Sequence, residues 1–484
     1  MNLYDKLNHP LAFAVFMLTL SLPVLVGLWA GRKTKNQSDF FIGGRAMSRI
    51  VVALSAVSSG RSSWLVLGVS GRAFMVGTGA VWAVVGYTVA ELFQFIYIGR
   101  RLRAETERYD SLTLLDYFES RFDDRKRFIR VIGSAIIGIF ITAYVAAQFN
   151  GGAKALSTAL HIPVIWALLF SGGLVLVYMV LGGYIAVAYN DVVRALILIV
   201  GLVIFPVYGL IQIGGLKPLL QTLSALNPSL IDPVSLGFGA VIGLLGIGLG
   251  SPGQPHIVVR YMSIRDPSKL RSSAVIGTFW NVIMGWGAVF IGLLGRALFR
   301  SVELLPNGDE EVIYLVLSSR YFGPVLYGLV IGGVFAAILS TADSQLLVVA
   351  STFVRDIYEK ILRPRSVLSE KHKLRLSRWV VVMSGLLALV MAYLAKDIIF
   401  WLVLFAWAGL GASFGTALIF SLYWKRTNGP GVAAGMLTGT VVVIVWKLFL
   451  AAPTGLYELI PAFFLSALAI VVTSRLTAKK REIE

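Results

Sequence analysis

The chain has 484 residues, 57% of them hydrophobic and 14% charged, with a formal charge of +18 and no cysteine. Soluble chains carry about a quarter charged residues, so this composition excludes a soluble enzyme and points to a polytopic membrane protein. Without cysteine, disulfides and thiol chemistry are excluded as well.

Apolar runs long enough to cross a bilayer recur from Leu11 to Val472. They predict about 13 spans, at 9–31, 47–76, 81–100, 128–158, 162–182, 187–213, 235–260, 272–299, 322–353, 377–396, 398–424, 431–451 and 457–476. No polar stretch between them is long enough for a soluble domain, which leaves one integral membrane domain over 1–484. The first run has a single lysine before it and "GRKTK" after it, with no small-residue cleavage signal, so it reads as an uncleaved helix.

The positive charge is not spread as a nucleic-acid surface would be. Arg32, Lys33, Lys35, Arg45 and Arg49 precede the second span. Nine basic residues from Arg100 to Arg130 follow the third, eight lie between Arg355 and Arg378, and Arg475, Lys479, Lys480 and Arg481 close the chain. These fall on one side of an odd-numbered topology, and "HIP", "AKD" and the acidic "ELLPNGDEE" on the other. The positive-inside bias therefore places the N-terminus outside and the C-terminus inside the cell's inner (plasma) membrane. The expected partners are the lipid bilayer and a small solute, and no nucleic acid.

The second span contains "SSGRSSW", Ser58 to Trp64. A charge at that depth costs at least a few kcal/mol unless it is compensated. The seventh span reads "AVIGLLGIGLGSPGQPHIVVRYM", too rich in Gly and Pro for an unbroken helix ladder. Irregular backbone at membrane depth survives only inside protein or beside a water-filled cavity. Interruptions in matching positions of two halves point to an inverted-repeat transporter with its site at the breaks.

In the ninth span, "GGVFAAILSTADSQLLVVAS", Ala337, Ser340, Thr341 and Ser344 share one helix face, with Asp343 at its edge. Hydroxyls beside a carboxylate suit a hard cation. The plainer reading, close packing by small residues, accounts for the hydroxyls but not for Asp343. In the sixth span, Asp191 precedes Arg194 by one turn, as either an interfacial ion pair or a buried functional acid. Arg61 needs a negative partner, and Asp343, with Asp191 behind it, is the expected one. Tyr144, Gln148 and Asn150 fall on one face that could line a cavity. Glu91 and Gln94 read as caps or bridges, Trp280, Trp286 and Trp407 as packing or anchors, and His256 as structural or functional with equal ease. No metal-ligand cluster, Walker loop or nucleophile elbow occurs, and no enzyme chemistry is expected.

The segments "DFFIGGRAMS", "GGYIAVAYND", "GQPHIVVRYMSIRD" and "AAILSTADSQLLVVAS" resemble the solute:sodium symporter family, closest to its sodium/proline branch, over nearly the whole chain. The resemblance implies an all-α, LeuT-type fold. Its five-plus-five inverted repeats would cover 47–213 and 235–424, with peripheral helices at 9–31 and 431–476. It implies symport of a small organic solute, such as proline or another amino acid, with Na+ as coupling ion. Carried over by position, the main sodium site corresponds to carbonyls of Ser58, Arg61 and Ala337 and hydroxyls of Ser340 and Thr341. A second site known in some members corresponds to Asp191, Ser340, Asp343 and Ser344. The substrate cavity corresponds to Tyr144, Gln148, Ser251 and Gln254. Where proline symporters read "ASDMSGW", this chain has Gly60 and Arg61 in place of the aspartate and methionine, and Ile247 and Ser251 replace two pocket aromatics. Those departures bear on the solute. Arg61 also raises a sodium-independent carrier, with its guanidinium in the cation site, as an alternative. A non-transporting sensor is the other, although the tail offers only "LTAKKREIE" for a signalling part.

Overall fold

The computed structural model describes residue 7 and residues 9–363, 369–394 and 399–478. Among these, regular structure is helical throughout, relieved by a single β-bridge between Met47 and Ile264. The expected connection at 395–398 and the basic tail from Lys479 lie outside the described residues.

Among the described residues, ten helices are long and apolar enough to cross a membrane, and three shorter apolar ones cover Arg49–Gly60, Val164–Val177 and Phe238–Gly253. Their starts follow from the sequence. Proline occupies the first turn of Pro10–Gly31, Pro255–Ser263 and Pro324–Ser351, where its missing N–H costs nothing. The Asn428 side chain accepts from the Gly431 N–H to cap Gly429–Val445. The fifth and sixth spans form one run, Val164–Gln212, turned at Gly183, whose φ of 58° only glycine adopts freely.

Both expected interruptions are present. The second span is helical over Arg49–Gly60, irregular at Arg61 and Ser62, and helical again from Ser63 to Val76. The seventh runs Phe238–Gly246, tightens to a 3₁₀ turn over Ile247–Gly253, and restarts at Pro255–Ser263. The third span continues as helix to Arg108, so its arginines ride on a helix rather than in a loop.

Helix Pro324–Ser351 lies at the centre. It packs against the 128–160 and 164–212 helices, the first helix and the N-terminal half, Arg49–Gly60, of the broken second span. Every residue from Val330 to Leu347 along it is buried. Elements not expected from the sequence are Gln37–Ile42, Leu114–Phe122, Leu216–Leu226 and Ile313–Tyr321. They are short, and their apolar content is too low to signal a span.

Candidate functional site

Breaking a helix inside a bilayer frees backbone groups that must find partners. At the first break, Gln148 accepts with its Oε1 from both the N–H and the hydroxyl of Ser63, each at 3.0 Å. Ser62 Oγ caps the next turn by accepting from Trp64 N–H at 3.1 Å. At the second break, Trp407 Nε1 donates to the Ile247 carbonyl at 2.7 Å. Gln254 Nε2 lies 3.0 Å from the Gly250 carbonyl and 3.1 Å from that of Trp407. Gly250 must be glycine here, since a Cβ would fall 2.1 Å from Trp407 Nε1. Trp407 therefore ties helix Ile399–Leu410 to the break, a role beyond the packing expected of it.

The stripe on the central helix faces the first break. Ser340 Oγ lies 3.1 Å from the Ser58 carbonyl oxygen and 2.9 Å from that of Ala337. Thr341 Oγ1 lies 3.0 Å from the Ser59 carbonyl and 3.4 Å from that of Ala337. Ser58, Ala337, Ser340 and Thr341 thus meet as a neutral oxygen set spanning two helices, and all four are fully buried.

One turn further along, the charges form a ladder. Asp191 Oδ2 accepts from Ser55 Oγ at 2.6 Å and Ser59 Oγ at 3.1 Å, and lies 3.2 Å from Arg260 Nη2. Arg260 also donates to Ser55, to Ser344 Oγ and to the His256 carbonyl. Ser344 Oγ lies 3.1 Å from Ser59 Oγ, 3.1 Å from Asp343 Oδ1 and 2.7 Å from the Ser340 carbonyl. Arg194 Nη1 stands 2.6 Å from Asp343 Oδ2 and 3.8 Å from Asp191 Oδ1. Asp191, Ser340, Asp343 and Ser344 do gather, but each carboxylate faces a guanidinium. Asp191 and Arg194 pair only loosely, because Arg194 reaches across to Asp343.

The expectation that Arg61 pairs with Asp343 is overturned. Arg61 Nη2 is 2.5 Å from Glu91 Oε1, Arg61 Nε donates to Asn281 Oδ1 at 2.9 Å, and Asn281 Nδ2 donates to Glu91 Oε2 at 2.6 Å. Arg61 Nη1 donates to the Gly60 carbonyl at 3.2 Å, and the guanidinium lies 3.7 Å from the Tyr87 ring centroid. The physical reason is direction. The charge leaves the break toward the third and eighth spans, away from Ser340 and Thr341, so it does not fill the oxygen set.

Arg61 borders a narrow cavity with Gly60, Trp64, Tyr87, Tyr144 and Trp407. Tyr144 is among the cavity residues as expected, and its ring meets His256 edge-on at 5.8 Å. Ser251 turns away. Its hydroxyl donates to Gln94 Oε1 at 2.6 Å, and Ile247 lines the cavity on that side instead. Sequence reading assigned no site role to Glu91, Asn281, Arg260, Ser55 or Ser59. Glu91 and Arg260 carried a signal, since each is an ionisable residue within or at the end of a predicted span. Asn281 and the serines carried none. Among the described residues no group of three His, Cys, Asp or Glu could hold a metal. The ligand chemistry here is oxygen-only, suited to a hard monovalent or divalent cation rather than a transition metal.

Comparison with known proteins agrees with this architecture. The sodium:solute symporter family matches residues 40–439. The osmoregulated proline transporter OpuE of Bacillus subtilis is 34% identical over 460 residues, 94% of this chain and 93% of its own. The sodium/proline symporter of Escherichia coli is 35% identical over 458 residues, 94% of this chain and 90% of its own. A Na+-coupled sialic acid symporter in a substrate-bound, outward-open state superposes with a TM-score of 0.83 at 19% identity, covering 98% of this chain and 99% of that one. MhsT in complex with L-phenylalanine superposes with a TM-score of 0.57 at 15% identity, covering 90% and 99%. The two structural likenesses speak to the fold.

Proposed function

We propose, from the premise that this chain belongs to the sodium:solute symporter family and is a multi-pass membrane protein performing sodium-coupled solute symport, that its solute is proline or another small amino acid. We further propose that sodium is held by the carbonyls of Ser58, Arg61 and Ala337 and the hydroxyls of Ser340 and Thr341. Proline is the solute named for its relatives in Bacillus and Escherichia. The observation that carries the ion site is that the Ser340 and Thr341 hydroxyls reach across to the Ser58 and Ser59 carbonyls. An ion inserted there joins a broken helix to the central helix. Ion occupancy then biases the relative placement of two elements that move in alternating access. Tyr144, Gln148 and Gln254 act around the solute cavity, Gln148 and Gln254 by holding the two breaks in shape.

The finer architecture is proposed in the same way. About 13 spans run with the N-terminus outside and the C-terminus inside the plasma membrane. The repeats cover 47–213 and 235–424, and the helices at 9–31 and 431–476 are peripheral. Its support is the one-sided distribution of basic loops. The partners are sodium, the solute and the bilayer, with no nucleic acid and no enzymatic step.

The test is uptake into proteoliposomes of a panel of labelled amino acids, with and without an inward sodium gradient. Thr341→Ala removes a ligand oxygen and is expected to raise the sodium concentration for half-maximal uptake on the order of tenfold, equivalent to about 1.4 kcal/mol. Thr341→Ser keeps the hydroxyl and should stay near the parent. Equal damage from both would make Thr341 a packing residue and sink the ion site.

A further inference from the structure

We infer that Arg194 stands where a second coupling cation would bind, so that the carrier holds one sodium ion per cycle. Asp191 and Asp343 are both fully buried and share a cluster with the hydroxyls of Ser55, Ser59 and Ser344. Two carboxylates and three hydroxyls within hydrogen-bond reach of one another are the donor set of a hard-cation site. The set is already neutral. Arg194 Nη1 bridges Asp343 Oδ2 at 2.6 Å and Asp191 Oδ1 at 3.8 Å, and Arg260 Nη2 lies 3.2 Å from Asp191 Oδ2. A cation entering would place three positive charges against two negative ones, within a cluster whose side chains are all fully buried and so little screened by solvent.

The neighbouring oxygen set of Ser58, Ala337, Ser340 and Thr341 carries no formal charge and no guanidinium. It adjoins the ladder through the bond from Ser344 Oγ to the Ser340 carbonyl at 2.7 Å. A single ion fits there without opposing charge in the set itself. Arg194 is the decisive arginine because its one nitrogen faces both acids, whereas Arg260 is spread over Ser55, Ser344 and the His256 carbonyl as well. This inference rests on the proposed role of Ser340 and Thr341 as sodium ligands.

The experiment counts radiolabelled sodium bound to the purified, detergent-solubilised chain, with no solute present. The parent is expected to bind one ion, with a Hill coefficient near one. Arg194→Gln removes the charge, keeps much of the side-chain length, and leaves Asp343 free to take a cation. It should bind two ions and titrate with a Hill coefficient well above one. Arg194→Lys should remain at one. If Arg194→Gln fails to fold, Arg194→Met, which keeps the length of the stem and likewise removes the charge, carries the same expectation of two bound ions. Two ions bound to the parent, or one bound to a folded Arg194→Gln, would overturn the inference while leaving sodium coupling intact. No saturable sodium binding by the parent would instead overturn the proposed ion site, and this inference with it.

Discussion

Arg61, Glu91 and Asn281 close a ring of three contacts at 2.5, 2.9 and 2.6 Å, with Tyr87 stacked on the guanidinium. Such a pair returns little over a well-packed apolar pair, because both charges lose their water, yet losing one member leaves the other buried and bare. Arg61→Met and Glu91→Met are each expected to destabilise the protein by about 3–5 kcal/mol. The double substitution should recover most of that loss, whereas Asp343→Asn should rescue neither. Thermal unfolding in detergent measures all five proteins. A double mutant as unstable as the sum of the singles would remove the pairing. The sequence foretold that Arg61 must have a partner and named the wrong acid. Depth along a helix can be read from the chain, but the direction in which a side chain leaves a broken backbone cannot. Glu91 sits 30 residues away on the next span, where the sequence alone reads it as a cap or helix bridge.

The broken helices, the hydroxyl stripe and the apolar spans were legible because each leaves a local mark: dense Gly and Pro, a helical repeat, or length. Helix Leu114–Phe122 leaves none, since its charges merge with the basic loop that contains it. In the fold it is capped by Thr113, whose Oγ1 accepts from Asp116 N–H at 2.9 Å, and it is pinned by Arg130. Arg130 contacts Asp116, Glu119 and Asp356 at once. Arg355 adds contacts to Asp116 and Glu359 at 3.2 Å each, and Gln37 Nε2 donates to Glu359 at 2.8 Å. In the sequence Arg130 is one more basic loop residue that bears on orientation, yet it is buried, with a partner 226 residues away. The network fastens this helix, the 128–160 helix and the extended end of the central helix over a cavity lined by Ser344, Ser351, Thr352 and Asp356. Arg130→Met is expected to loosen that closure and to cost about 3–5 kcal/mol. A cysteine placed at Ser351 should then react with a soluble maleimide several-fold faster in inside-out vesicles. An unchanged rate in a folded variant would mean that the network holds the helix without gating the cavity.

A counterpart stands at the other end of the molecule. Lys154 Nζ lies 2.8 Å from Asp309 and 2.5 Å from Glu311, and Glu311 also accepts from the N–H groups of Ile399 and Phe400 at 3.1 and 2.8 Å. A carboxylate on the first N–H groups of helix Ile399–Leu410 is favoured by the helix dipole as well as by the bonds themselves. The cavity between Arg61 and Trp407 therefore lies between two sets of ion pairs, and alternating access requires that they not open together. The absence of native cysteine lets single introduced thiols report on each side without background. In right-side-out vesicles an impermeant maleimide should label a cysteine at exposed Asn307. It should reach one at exposed Lys126 only after permeabilisation, and the opposite pattern would reverse the proposed orientation. Leu404 lines the central cavity, so a cysteine there reads its closure. Glu311→Gln removes the charge that Lys154 pairs with and weakens the hold on the 399–410 helix. It should speed labelling at position 404 from outside, while Arg130→Met should slow it by shifting the population toward the inward-facing form. Faster outside labelling in both variants would mean that the two sets of ion pairs act as independent clasps, and the conformational coupling between the ends would have to run through other contacts.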